Sequence, residues 1–307
     1  MSLQLENRWR EDTHHYVRWS EDSRQVIRLY KPRLQQQLVL SPRCSHLKGN
    51  GGVKGAVRFA QRLTNHYDYV ARFDIRHYYE SIDHRVMLAQ CRHVSPDVFD
   101  VVQDYLCVPD PRGTGKGMVA GGAISPLLGG LYLTPLDRAM EDLCKKNWIR
   151  YQRFMDDYVI FAKTRNKLKA ASKRMYAVLD TLQLTVHPDK RYIGKTEKGF
   201  DFLGYRFKPQ KLLEPAVQSL TRLLEHSRRL HEKGADSHRL RQYVQRWVTW
   251  LHGGLQGAVT ENRFRQIWDY VNLKTIWMKP AAIQRHLRRQ GVIQVFLQND
   301  FSVVSAP

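Results

Sequence analysis

The sequence predicts an α+β fold, an antiparallel sheet backed by helices with a helical region after it, on three observations. The run Tyr151-Gln152-Arg153-Phe154-Met155-Asp156-Asp157-Tyr158-Val159-Ile160-Phe161 reads as two short strands, rich in aromatic and β-branched residues, with an acidic pair at the turn. Val70-Ala71-Arg72-Phe73-Asp74-Ile75 is another strand-like run, and it again delivers one aspartate. From Lys208 onward the pattern changes to helical spacing: Leu240, Tyr243, Val244, Trp247, Val248 and Leu251 form one apolar stripe, and Phe264, Ile267, Trp268 and Val271 another.

The carboxylates point beyond the fold. Two adjacent ones repel each other, and neither is buried without a partner. A turn that carries both either lies in solvent or holds a cation. Asp74 favours the cation, because three carboxylates from two strands can hold two divalent ions.

With 307 residues and 42% hydrophobic content, the chain can bury a sizeable core and suits about two domains. Fifty basic residues against 29 acidic ones give a formal charge of +21. That argues for a polyanionic partner, nucleic acid first, with an anionic membrane surface as the rival. The basic residues are spread along the whole chain, and the stretch from Met1 to Trp19 is charged instead of apolar. The expectation is a soluble, cytoplasmic protein with no membrane partner. The uncharged run from Gly117 to Leu136 holds five glycines plus Pro126 and Pro135, which suits a buried loop and helix better than a span. Cys44, Cys91, Cys107 and Cys144 lie far apart with no C-x-x-C pair, so they are expected as reduced core residues.

Taken in order, residues 1–45 mix Trp9, Tyr16, Trp19 and Tyr30 with many charges and show no clear periodicity. His46 to Arg58 is Gly-rich and basic with no acidic residue. It is either a backbone able to approach phosphate or a flexible surface loop. Ile75 to His84 is expected to turn into a helix. Arg112-Gly113-Thr114-Gly115-Lys116-Gly117 looks like a phosphate loop but fails the Walker pattern at both ends, with Asp110 for the first Gly and Gly117 for the Ser or Thr. Ser125 is read as a helix cap with Pro126 in the first turn and Leu127, Leu128 and Leu131 as the apolar face. Leu168, Ala171, Met175, Val178, Leu179 and Leu182 predict a helix behind the sheet, with Lys167, Lys169, Lys173 and Arg174 on its surface. His187-Pro188-Asp189-Lys190 ends that unit, and Gly199 to Phe207 follows as an aromatic hairpin. From Lys208 on, 16 basic residues less 7 acidic ones leave +9, a surface able to grip a phosphate backbone.

Five of these segments, in order, resemble the palm motifs of reverse transcriptases: Phe73-Asp74-Ile75, Gly121-Gly122-Ala123-Ile124-Ser125-Pro126-Leu127-Leu128, Phe154-Met155-Asp156-Asp157, the Lys190 segment and Phe202-Leu203-Gly204-Tyr205. The match covers roughly residues 45 to 210 and is most similar to the bacterial branch with its group II intron, retron and defence-associated enzymes. The resemblance implies a right-hand polymerase, with an N-terminal segment and fingers over 1–66, a palm over 67–207 and a helical thumb and tail over 208–307.

It also implies RNA-templated DNA synthesis from a DNA or RNA primer and dNTPs, with two magnesium ions, or manganese in their place, held by Asp74, the Ile75 carbonyl and Asp156, while Asp157 completes the acidic cluster. Lys190 matches the position proposed to protonate pyrophosphate. Tyr79 lies where the family places a ring under the sugar 2′-position, and Phe202, Leu203 and Gly204 match the primer grip. Lys54 and Arg58 are candidates for triphosphate contacts. One departure stands out: the family's Pro-Gln-Gly is Val119-Ala120-Gly121, so Ala120 and Gly121 fill the nucleotide-contacting position without the glutamine. The expected template is a dedicated structured noncoding RNA serving antiviral defence. An RNA-binding maturase or scaffold, and an RNA-templated RNA polymerase, are the competing readings, and Tyr79 speaks against the last.

Overall fold

Even where the sequence shows no periodicity, the chain opens with an antiparallel pair, β1 (Leu5–Glu11) and β2 (His14–Trp19), followed by helix α1 (Glu21–Gln37). The Ser20 hydroxyl caps α1 by accepting from the Ser23 amide at 3.3 Å. The computed structural model describes residues 3–11, 14–109, 113–211, 213–254 and 261–271. It divides into two units, Met1–Lys198 and Gly199–Pro307.

In the first unit, α2 (Gly52–Thr64) leads into β3 (Tyr69–Asp74), and a short 3-10 turn, Tyr79–Ser81, precedes α3 (His84–Gln90) and α4 (Pro96–Cys107). Then come α5 (Ser125–Tyr132), α6 (Thr134–Lys145), the hairpin β4 (Ile149–Phe154) and β5 (Asp157–Ala162), α7 (Arg165–Thr181) and β6 (Tyr192–Lys195). The sheet runs β4-β5-β3-β6, every neighbour antiparallel.

The two-residue alternation of strands sorts its side chains. Asp74 stands opposite Asp157, so Arg72, Asp74, Asp157, Val159 and Phe161 share one face, and Phe73, Tyr158 and Ile160 the other. Helix α7 backs the second face, with Tyr176 edge-on to Phe73 at 5.8 Å. Helix α2 covers part of the first, Phe59 lying edge-on to Phe161 at 6.5 Å.

In the second unit, β7 (Phe200–Phe202), β8 (Tyr205–Phe207) and β9 (Glu214–Pro215) form a small sheet, followed by α8 (Val217–Glu232), α9 (Ser237–Gly254) and α10 (Glu261–Tyr270). Leu240, Val244, Val248 and Leu251 are buried along α9, and Phe264 and Ile267 along α10 with Val271 just after it. The thumb expectation for residues 272–307 lies outside the described residues, as do Asp110 and Arg112 of the phosphate-loop comparison.

Several expectations are corrected. Ile75 to His84 is not one helix, because its carbonyls serve the following loop: the Met118 amide donates to Tyr79 O and the Gly117 amide to Ile82 O, both at 2.8 Å, and Asp83 caps α3 instead. The second half of the Gly-rich segment is helix α2, with Gly51 at φ +89° as its N-cap. Ser125 does not cap α5. It is the helix's first residue, and its hydroxyl binds Val119 O and Tyr105. Cys44, Cys91 and Cys144 are buried, but Cys107 is exposed. Residues 117–136 form a loop, α5 and the start of α6, and among the described residues no helix is long and apolar enough to cross a membrane.

Candidate active site

The β3–β5 ladder brings the acidic residues together. Asp74 ends β3 and pairs in register with Asp157, the first residue of β5, while Asp156 occupies the intervening β4–β5 turn. Burial raises the Asp156 carboxyl from its usual range to about 6, with Asp74 and then Asp157 adding repulsion and Lys190 opposing them. Burial raises Asp157 as well, against the opposing pull of Arg72. Arg72, two residues before Asp74 on the same face, donates from Nε and Nη2 to the two Asp157 oxygens at 3.0 and 3.2 Å. Lys190 places its Nζ 3.4 Å from both oxygens of Asp74.

Among the described residues, no three His, Cys, Asp or Glu side chains form a ready-made metal cage. The donor set nevertheless fits divalent cations: two neighbouring carboxylates, Asp74 and Asp156, the second raised in pKa by burial and by the charge of the first, gain most from a bound positive charge. Ile75 adds a backbone group. The Asp74 carbonyl accepts from His187 and the Arg76 amide donates to Thr185, so by strand alternation Ile75 turns its own carbonyl to the edge that carries the Asp156 turn.

Two further supports, unseen in the sequence, fix the turn. Met155 has φ +54°, a left-handed conformation uncommon outside glycine and asparagine. Its amide donates to His46 Nδ1 at 3.1 Å, and its carbonyl accepts from Arg153 Nη1 at 2.8 Å. Arg153 is fully buried and forks onto Asp137 of α6, Nε to Oδ1 at 2.9 Å and Nη2 to Oδ2 at 2.5 Å, and Tyr151 adds its hydroxyl to Oδ1 at 2.7 Å. Burial works against the charge on Arg153, yet Asp137 holds its pKa above the ordinary value. The sequence signal for this pair is faint: an arginine at an inward strand position and an aspartate within an apolar helix face.

Tyr79 is half-buried beside α5. A methyl group on Gly129 would meet Tyr78 and Tyr79 ring carbons, each at 3.3 Å. Burial first and the nearby Asp156 second raise the Tyr79 hydroxyl, which puts it within electrostatic reach of Asp156. Ala120 and Gly121, the latter at φ +82°, form the turn that leads to α5. Lys54 and Arg58 are exposed one turn apart on α2, opposite buried Ala56, Val57 and Ala60. The start of α2, two residues before Lys54, lies near the β4–β5 turn, because the Gly52 amide donates to Ser45 O and Ser45 in turn bonds Arg153 O, whereas Arg58 lies further along the helix beside Phe59, which packs on Phe161.

Phe202, Leu203 and Gly204 lie in the second unit. Leu203 (φ +49°) and Gly204 (φ +84°) form the two-residue turn between β7 and β8, the double left-handed geometry of a tight hairpin. Gly204 O accepts from the Ala216 amide at 2.8 Å and the Ser219 hydroxyl at 2.9 Å, which ties the turn to the start of α8.

The family model described as reverse transcriptase (RNA-dependent DNA polymerase) matches residues 13–207, 195 of the 307. Protein YkfC of Escherichia coli K12 is 25% identical over 176 aligned residues, an alignment covering 45% of this chain and 46% of YkfC. The structure of telomerase from Candida albicans, solved with the TWJ fragment of telomeric RNA, matches 97% of this chain and 62% of its own with a TM-score of 0.50 at 10% identity, a likeness of fold. The chain thus spans about half the length of YkfC.

Proposed function

Since the chain belongs to the reverse transcriptase (RNA-dependent DNA polymerase) family, we propose that it copies an RNA template into DNA at the Asp74–Asp156–Asp157 cluster. The observation that carries this reading is the juxtaposition of the three carboxylates at one end of β3 and β5, where burial first and the neighbouring charges second raise Asp156 to about 6. Asp74 and Asp156, with the Ile75 carbonyl, would hold two magnesium ions, or manganese, which when bound neutralise charge on the attacking and leaving oxygens of nucleotidyl transfer. Arg72 keeps Asp157 turned to the same face. Lys190, beside Asp74, supplies a cation and a proton donor toward the leaving pyrophosphate. Tyr79 excludes the ribose 2′-hydroxyl, Lys54 and Arg58 neutralise the triphosphate, and Ala120 and Gly121 line the nucleotide position without the amide of a glutamine. Phe202, Leu203 and Gly204 steady the primer. We assign fingers to 1–66, palm to 67–207 and thumb to 208–307.

The charge of +21 supports an RNA partner. Plain electrostatic binding is weak at physiological salt, with dissociation constants on the order of 10⁻⁴–10⁻⁶ M, so we propose a dedicated structured RNA and a role in antiviral defence. The test is primer extension on an RNA template with magnesium. Wild type should incorporate dNTPs in preference to ribonucleotides, and Asp74→Asn should remove incorporation while RNA binding persists. Full activity in Asp74→Asn would sink the site assignment. Sequencing RNA that survives high-salt washes should give one dominant species; a heterogeneous pool would refute the dedicated partner.

A further inference from the structure

The Gly-rich segment that opens with His46 holds the Asp156 turn from behind. A backbone amide can only donate, so His46 Nδ1, 3.1 Å from the Met155 amide, must be the acceptor. A backbone carbonyl can only accept, so Nε2, 2.9 Å from Pro126 O of α5, must carry the proton. The ring is therefore the neutral Nε2–H tautomer, and protonation at Nδ1 or the other tautomer would break the contact with Met155. The Cys44 thiol lies 3.0 Å from the same Nδ1, and burial lifts its pKa to about 12, so it stays protonated and able to donate there too. The Phe154 ring meets His46 edge-on at 5.9 Å and fixes the plane of the imidazole. Arg153 grips the Met155 carbonyl from the other side.

We propose that His46 is a positioning residue for the reaction: by accepting from the Met155 amide it keeps that residue left-handed and so sets where Asp156, the next residue, presents its carboxylate. The inference rests on the active-site reading above. Without the acceptor, a half-buried amide loses its partner and the turn relaxes toward a right-handed conformation, which swings Asp156 away from Asp74. Displacement by about 1 Å of a reacting group can cost on the order of 10²-fold in rate.

Three substitutions separate the two ring nitrogens. Asn places its amide oxygen near the position of Nδ1, Gln reaches that of Nε2, and Leu supplies neither. In the full-length protein, H46L and H46Q should lower kcat for dNTP incorporation by about tenfold or more with KM for dNTP within about threefold, whereas H46N should recover most of the loss. Independently of activity, methyl NMR of the protein labelled at its seven methionines should show the Met155 resonance displaced in H46L and H46Q and near its wild-type position in H46N. Wild-type kcat and an unmoved Met155 signal in H46L would overturn the proposal. So would equal losses in all three variants that track melting temperature, which would mark His46 as packing alone. Asp156→Asn run alongside keeps the two readings apart. If it is fully active, the active-site reading fails; if it is inactive while H46L is not, only the role of His46 falls.

Discussion

Burial makes the Asp156 carboxyl harder to ionise in the folded chain than in the unfolded one. Its pKa is raised from 3.8 to about 6, so the folded state binds its proton more tightly than the unfolded chain does. The stability this gives is present below about pH 4 and is lost as pH rises from there to about 6. A shift of about two units corresponds to roughly 3 kcal/mol at most. Asp156→Asn is therefore expected to lose nucleotide incorporation yet gain roughly 1–3 kcal/mol of stability at pH 7 in EDTA, read by urea unfolding. The same competition between proton and metal predicts an acid limb in activity near pH 6 at limiting magnesium, moving to lower pH as magnesium is raised. A limb that ignores magnesium would place the titration elsewhere. The Tyr79 ring packs on Gly129 and its hydroxyl feels the charge of Asp156, so packing and the proposed sugar selection can be separated. Tyr79→Val should raise ribonucleotide use relative to deoxynucleotide use in primer extension, and an unchanged ratio would leave Tyr79 a packing aromatic.

The β4–β5 hairpin carries the acidic turn, and it stands on a buried ion pair. Arg153 and Asp137 are 0% and 1% exposed, so removing either leaves the other charge buried without its counter-charge. Asp137→Ala is expected to cost about 3–5 kcal/mol, measured by denaturant unfolding, with loss of activity following from loss of the hairpin. A cost below about 1 kcal/mol would show that Arg153 finds other partners. The β7–β8 hairpin depends on backbone shape instead. At φ +84°, a Cβ on Gly204 would lie 2.5 Å from Trp250 Cζ2 and 2.9 Å from the Ser219 hydroxyl, so Gly204→Ala should destabilise by roughly 1–3 kcal/mol. Helix α2 presents Lys54 and Arg58 to solvent, and their replacement by Glu should raise KM for dNTP several-fold while the melting temperature holds. Unchanged kinetics would make the pair a solvated face.

Across the whole molecule, a formal charge of +21 makes nucleic-acid binding steeply salt-dependent, and a chain contacting 6–10 phosphates would lose about 10³–10⁵ in affinity between 50 and 200 mM salt. A flat salt response in filter binding would argue that shape carries recognition. The sequence alone determined the strands at 70–75 and 151–161, the α7 and α9 stripes, the meeting of Asp74 with the acidic pair and the basic balance. These follow from periodicity, side-chain type and motif order, which are properties of neighbours in the chain. It misjudged Ile75 to His84 because backbone donors at 117 and 118 claim carbonyls that a helix needs, and it left residues 52–58 open because helix α2 is decided by what its apolar face packs on. His46 and Met155 are 109 residues apart, and Arg153 and Asp137 lie on different elements. Only the tertiary structure decided those contacts, since a hydrogen bond between distant residues leaves no period in the sequence. They settle whether the acidic turn that the sequence displays is held in one conformation.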